Sequence, residues 1–431
     1  MKRPAFRRLA AIGVGLALVV STAACSSSGS SGSSGETKLV VYSADPANAA
    51  TYQKVLNDFG ASNNASISLI SYPSATFIQQ FTPAVDSHAQ IDALLANGQD
   101  IRYLQGHGLV GDLGSAVNKT DLIPAAYEPF TINNKLYAVG IGGVNVTAFV
   151  YNDAIFQKYG LTVPKTDSDL IADAAKLKGT DIAPVSVPGG NVYLWPIWMM
   201  QMLQQTTHDT STATTTSTLT TGSPSFDSSQ YVDGFKEMAK LGTGGIFENG
   251  WQGVQEPAAV DLFAQGKAAM FFGGSWDIST ISQQAPQMSI KAFPFPNFVP
   301  GVTSTAFGGA GVAAATYGKV DANHKSLVDK LVAYMATAAV DKQLLTGTAA
   351  ISLPANKSVT SDSQSALQTQ LVKDFLPTES TFLDWYWPKQ VTAAFQDQMV
   401  GVVAGTTSPE NAAKAAQSAF QQAKAAGYTY N

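Results

Sequence analysis

One cysteine, Cys25, stands among 431 residues, which excludes an intramolecular disulfide framework and any cysteine-based zinc site. Histidine is nearly as scarce. His88, His107, His208 and His324 are far apart and show no metal-ligand spacing, so neither a metal nor a cofactor is expected. Charged residues make up 13% of the chain, against about a quarter in an ordinary soluble protein. Basic residues number 26 and acidic residues 31, and four of the basic ones (Lys2, Arg3, Arg7 and Arg8) crowd the first eight positions. Beyond that head, 22 basic residues face 31 acidic ones, a net charge of −9. Phosphate backbones need clustered cations, so nucleic acid is excluded as the partner. After the head, Arg102 is the single arginine. Sites that grip carboxylates or phosphates favour the arginine fork, so strongly anionic ligands are disfavoured. Neither a Gly-x-Ser-x-Gly nucleophile motif with a plausible partner histidine nor a phosphate-binding Gly-x-x-x-x-Gly-Lys-Ser/Thr loop occurs.

The N-terminus is rich in signals. Residues 1–24 read as an export signal: a basic start, the apolar run Leu9 to Val20, then small residues. Twelve apolar residues are too few for a bilayer core, which takes roughly 20. Ser21-Thr22-Ala23-Ala24-Cys25 resembles the lipobox of bacterial lipoproteins, with Thr22 where leucine is usual. The resemblance implies lipid on Cys25 and attachment without a transmembrane helix. Residues 26–35 contain only Ser and Gly, a flexible coil with a reach of roughly 18 Å. Residues 25–37 are thus expected to tether a folded body to the extracytoplasmic face of a bacterial cell membrane.

In the body, strand-like runs alternate with helical ones. Leu39 to Tyr42, Ile67 to Tyr72 and Ile91 to Leu95 are strand-like, and two helical stretches lie between them. This βαβαβ rhythm predicts a parallel sheet covered by helices. Ligands of such sheets bind beyond the carboxyl ends of the strands, which singles out Asp45, Tyr72, Asn97 and Asp100. Thr166-Asp167-Ser168-Asp169 has capping-box spacing, while Asp321 and Ser408 are candidate helix caps. Asn133-Asn134 suggests a hairpin turn. Ten threonines crowd residues 206–221 without periodicity, which reads as an exposed loop. Pro294, Pro296 and Pro300 mark an extended connection between lobes.

Several segments together resemble family 1 extracellular solute-binding proteins of sugar ABC importers, whose best-known relative is maltose-binding protein. They are Phe149 to Leu161 followed by Pro164 and Thr166; Phe263 to Met270 followed by Gly273-Gly274-Ser275-Trp276; Gly308-Gly309-Ala310-Gly311; and Ser408-Pro409-Glu410. The resemblance runs from Lys38 to the end. It implies an α/β, two-lobed fold with discontinuous lobes, a hinge and an interlobe cleft that closes on ligand. The lobes are expected at 38–146 with 297–353, and at 147–296 with 354–431. A monomer is expected, working with the permease subunits of an ABC importer.

Sugars offer hydroxyls and flat C–H faces, so their sites use carboxylates, amides and aromatic platforms. Trp276, after the Gly273-Gly274 turn, is a candidate platform, and its alternative is a core tryptophan. Asp277 either accepts sugar hydroxyls or favours a helix N-terminus. Gly308 and Gly309 permit close backbone approach or form a hinge. Trp195, at a helix start, and Trp385, in the aromatic run Asp384 to Trp387, are further platforms or packing residues. The leading function is a non-catalytic lipoprotein that captures a neutral mono- or oligosaccharide for import. The alternatives are an exported glycoside hydrolase, for which Asp45, Asp100, Asp277 and Asp384 supply carboxylates, and a carbohydrate-binding surface sensor or adhesion module.

Overall fold

The computed structural model describes residues 35–430 except 303, 348–352, 360–365 and 379. The expected export signal, Cys25 and all but the last residue of the Ser/Gly tract lie outside the described residues. Among the described residues no helix is long and apolar enough to cross a membrane.

Two sheets organise the body. The first runs in the order Ala65–Ser71, Thr37–Ser43, Ala93–Ala96, Val312–Thr316, Val139–Ile141. Its first three strands are parallel, and Val312–Thr316 is antiparallel to both of its neighbours. The helix Ala49–Asn63 covers this sheet because Tyr52, Val55, Leu56 and Phe59 recur at helical spacing on one buried face. Asn64 then ends it in the left-handed conformation, φ 51°, which asparagine tolerates better than most residues. Asn133 and Asn134, both at positive φ, turn the short hairpin Thr131–Ile132 to Lys135–Leu136 as expected.

The second sheet centres on Asn145–Asn152, eight buried residues paired antiparallel with Ala268–Gly274, Ile290–Phe293 and Phe307–Gly309. Ala183–Ser186 lies parallel to Ala268–Gly274, and Ser380–Thr381 parallel to Phe307–Gly309. A strand buried on both faces serves two cores. Phe149 and Tyr151 join the larger one, with Trp198 and Phe272, while Val146, Ala148 and Val150 join a smaller one with Phe263 and Ile278.

The chain passes from the first sheet to the second through Gly142-Gly143-Val144, and returns through Ala310-Gly311. A third passage lies between Ala355, packed in the first lobe, and Leu367, packed in the second. These passages fall elsewhere than the expected boundaries at 146/147, 296/297 and 353/354. The proline-rich stretch is not a passage. It lies along the second lobe, where the Gln205 amide donates to Pro296 O (3.1 Å) and to Ser304 Oγ (2.7 Å).

The threonine-rich stretch is also largely ordered, against the expectation of an exposed loop. The helices Leu194–Thr207 and Ala213–Thr221 divide it, and Thr215 and Thr218 are buried. Thr206, Thr207, Thr220 and Thr221 donate their hydroxyls to carbonyls four residues back. Such back-bonding satisfies the hydroxyl inside a helix, so threonine content alone does not forbid one.

Candidate functional site

Strand direction locates the cleft. Thr37–Ser43, Ala65–Ser71 and Ala93–Ala96 run parallel to Val139–Ile141, whose carboxyl end leads straight into the first passage. In the second sheet Asn145–Asn152 starts at that passage, so the antiparallel Ala268–Gly274 ends beside it, with Gly274 opposite Thr147. The carboxyl ends in both lobes therefore approach the same crossing, where open α/β sheets bind ligands.

On the first lobe, Asp45 is half-buried and accepts from Asn48 Nδ2 (2.8 Å) and from the Tyr52 hydroxyl (3.0 Å). Tyr72 is half-buried with its ring 6.3 Å from that of Tyr42. Asn97 caps the helix Gly98–Gly106 by accepting from Asp100 N (2.8 Å), and its amide donates to Ser74 Oγ (2.9 Å). Asp100 is buried, and Lys389 Nζ stands 2.8 Å from its carboxylate. Burial pushes the Asp100 carboxyl up from its ordinary range, against the opposing pull of Lys389. The expected ligand carboxylate is thus an interlobe ion pair. Gln99 crosses the same boundary, donating to Asp384 O and Thr392 Oγ1 at 3.1 Å each. Arg102 lies 4.2 Å over the Tyr386 ring and donates to Pro129 O (3.0 Å). A cavity of about 700 Å³ opens along this contact, lined by Ser74, Tyr103, Trp385, Lys389, Tyr386 and Tyr428 among others.

Trp385 packs against the cores of both lobes. Its seat is made by glycines. A Cβ at Gly98 would stand 2.2 Å from Trp385 Cε3, and one at Gly309 2.5 Å from Cη2. Phe130 stacks on the indole at 6.1 Å and Phe382 leans on it at 5.3 Å. Gly308 is held within the sheet, opposite Val146 on one side and Thr381 on the other.

The second lobe carries a tighter cluster. Trp276 is half-buried and its indole folds over Gly274, where a Cβ would lie 2.0 Å from Cζ3. Its Nε1 donates to Glu256 Oε1 at 3.2 Å. The Tyr193 hydroxyl donates to the same oxygen at 2.6 Å, although the residue as a whole is 38% exposed. Asn191 and Glu256 clasp each other: the amide donates to Oε2 (3.3 Å) and Glu256 N donates back to Asn191 Oδ1 (2.8 Å). Asp277 is buried and accepts from Gly274 N (3.3 Å) at the helix start. Burial, and then the adjacent Glu256 carboxylate, push the Asp277 carboxyl well above the usual range. Burial and Glu256 likewise push the Tyr193 phenol up.

Trp195 does not join them. It is 1% exposed, its Nε1 donates to Gly189 O (3.1 Å), and Trp251 meets its ring edge-on at 5.2 Å. It is a core side chain with no face left for a ligand, against its expectation as a platform. Sequence reasoning missed Glu256, Tyr193 and Asn191. Among the described residues no group of three or more His, Cys, Asp or Glu is placed to hold a metal ion.

Residues 54–370 match the family described as bacterial extracellular solute-binding protein. A curated relative, the multiple sugar-binding protein of Streptococcus mutans, is 24% identical over 343 residues, 78% of this chain and 80% of the relative. Among solved structures, the binding protein MsmE of Bacillus subtilis, in an open conformation, superposes with a TM-score of 0.75 at 17% identity, covering 92% of this chain and 99% of its own. A sugar transporter from Bacillus licheniformis in complex with stachyose gives 0.69 at 16% identity, over 89% of this chain and 98% of its own. At these identities the structural likenesses are likenesses of fold.

Proposed function

The chain belongs to the bacterial extracellular solute-binding protein family, and from that premise we propose that its solute is a neutral mono- or oligosaccharide, captured between the lobes and passed to an ABC importer. The observation that carries this reading is the half-buried Trp276 indole laid over Gly274 beside Glu256, Asn191 and Tyr193. An aromatic face with the Asn191 amide and the Tyr193 hydroxyl at its edge matches the two surfaces of a pyranose. The low charge and single body arginine favour a neutral ligand. Trp385, seated between Gly98 and Gly309, supplies a second aromatic face, with Asp45, Tyr72 and Asn97 on the first-lobe side. The relatives named for sugars support the same class.

We propose a non-catalytic role. A glycoside hydrolase sets two carboxyl groups apart on either side of the scissile bond, about 5–5.5 Å or 6.5–9.5 Å from each other. Here Glu256 and Asp277 lie side by side within one lobe, close enough for the Glu256 carboxylate to push the Asp277 carboxyl up. We further propose that lipid on Cys25 holds the protein at the outer face of the cell membrane as a monomer. The test of the ligand class is a thermal-shift screen of the purified protein against neutral sugars, sugar phosphates and amino acids. A ligand at 100 times its dissociation constant adds about 2.7 kcal/mol of stability, and a neutral sugar should give the largest shift. A phosphorylated sugar or an amino acid preferred tenfold over every neutral sugar would refute the proposal.

A further inference from the structure

Three side-chain donors converge on the Glu256 carboxylate. Trp276 Nε1 and the Tyr193 hydroxyl reach Oε1 at 3.2 and 2.6 Å, and Asn191 Nδ2 reaches Oε2 at 3.3 Å. These donors come from two segments: the loop before the helix Leu194–Thr207, which carries Asn191 and Tyr193, and the start of the helix Ser275–Gln284, which carries Trp276. Glu256 itself opens the helix Glu256–Ala264, with Pro257 behind it in the first turn, so its backbone is fixed. A carboxylate accepts at two oxygens with about four lone-pair directions. With three protein donors engaged, most of that capacity is taken up by the protein itself.

We infer that Glu256 is the positioning residue of the cleft. It fixes the Trp276 indole by its N–H and the Tyr193 ring by its hydroxyl, so that both aromatic faces are set before the sugar arrives. This rests on the reading of the cleft as a sugar site. Without the carboxylate, the indole keeps its bed over Gly274 but loses the bond that fixes its rotation, and Tyr193 loses its anchor. A platform that must be ordered on binding gives weaker binding than a preorganised one.

The test combines binding with a spectroscopic signature in the ligand-free protein. Tryptophan indoles are labelled with nitrogen-15, the Trp276 resonance is assigned through Trp276→Phe, and affinity is measured for the neutral sugar that binds the native protein most tightly. In Glu256→Ala we expect the Trp276 indole resonance to move toward that of a solvent-exposed indole and affinity to fall at least tenfold. Glu256→Gln keeps an acceptor oxygen for Trp276 and Tyr193, and should recover most of that loss. If Glu256→Ala does not fold, Tyr193→Phe removes one donor and no carboxylate. It should weaken binding about threefold or more while leaving the Trp276 resonance in place. An unmoved Trp276 resonance or unchanged affinity in Glu256→Ala overturns the inference, as does unchanged affinity in Tyr193→Phe. Failure of the sugar reading appears separately, as a native protein that binds no neutral sugar.

Discussion

The seat of Trp385 can be tested by adding one methyl group. In Gly98→Ala the new Cβ would lie 2.2 Å from Trp385 Cε3 and 2.4 Å from Cδ2, where carbon atoms settle at about 3.5–4.0 Å. The indole must therefore recede by more than about 1 Å, leaving its stack on Phe130 and its contact with Phe382. Overpacking of this kind costs about 1–3 kcal/mol, partly offset by the better helix propensity of alanine, up to about 1 kcal/mol. A net loss near 2 kcal/mol leaves a domain of ordinary stability, about 5–15 kcal/mol, folded. Gly106, in the same helix, is the control, because a Cβ there meets nothing within 4 Å. Calorimetric titration with the best neutral sugar and thermal melting are run on both variants. We expect Gly98→Ala to bind at least tenfold more weakly, a loss of about 1.4 kcal/mol, and Gly106→Ala to bind as the native protein does. If Gly98→Ala melts earlier but binds normally, Trp385 is interlobe packing and not a sugar platform. If it neither melts earlier nor binds worse, the reasoning from the glycine seat is wrong.

Trp276→Ala should remain folded and lose at least tenfold in affinity by titration; a variant that melts far earlier yet binds normally would make Trp276 a core residue. Lys389→Ala leaves the buried Asp100 carboxyl without its cation, so it should cost roughly 1–3 kcal/mol in denaturant unfolding, and Asp100→Asn in the same chain should recover part of that cost. Burial pushes the Glu248 carboxyl up to about 7, whereas an unfolded glutamate titrates near 4.3. Between those values the folded state holds a proton that the unfolded chain has released, so stability should fall as pH rises from about 4.5 to 7, by on the order of 3 kcal/mol. Glu248→Gln should flatten that slope, and an unchanged slope would assign it to other groups. Cys25→Ser should release the protein from the membrane fraction or leave it unprocessed, and unchanged processing with unchanged retention would remove the lipid anchor from the account.

Local chemistry was readable where its partners lie close in sequence. Thr166 and Asp169 form the reciprocal cap that their spacing predicts, and Asp321 and Ser408 each accept from a backbone N–H at a helix start. The first βαβαβ unit follows from alternating strand and helix periodicity. Gly273-Gly274 leaves room beside Trp276 and Asp277, because side chains at those positions would strike both residues. What escaped the sequence was assembled from distant segments. Glu256 lies 63 residues from Tyr193, and no periodicity links them. Trp195 and Trp276 both stand at helix starts, yet one is sealed by Gly189 and Trp251 while the other stays half-exposed over a glycine. That difference comes from what the fold lays beside each ring. The interlobe role of Asp100 was hidden for the same reason, since Lys389 is 289 residues away.

The central claim is that one neutral sugar is held by both lobes at once. The measurement that meets it most directly is a crystal structure of the protein with its tightest neutral sugar. We predict a pyranose ring stacked on Trp276, with further contacts to first-lobe loops around Asp45, Tyr72 or Asn97, and the lobes closed on it. A sugar that touches only one lobe, or that lies in the cavity beside Tyr103 and Tyr428 and leaves Trp276 bare, would contradict the account.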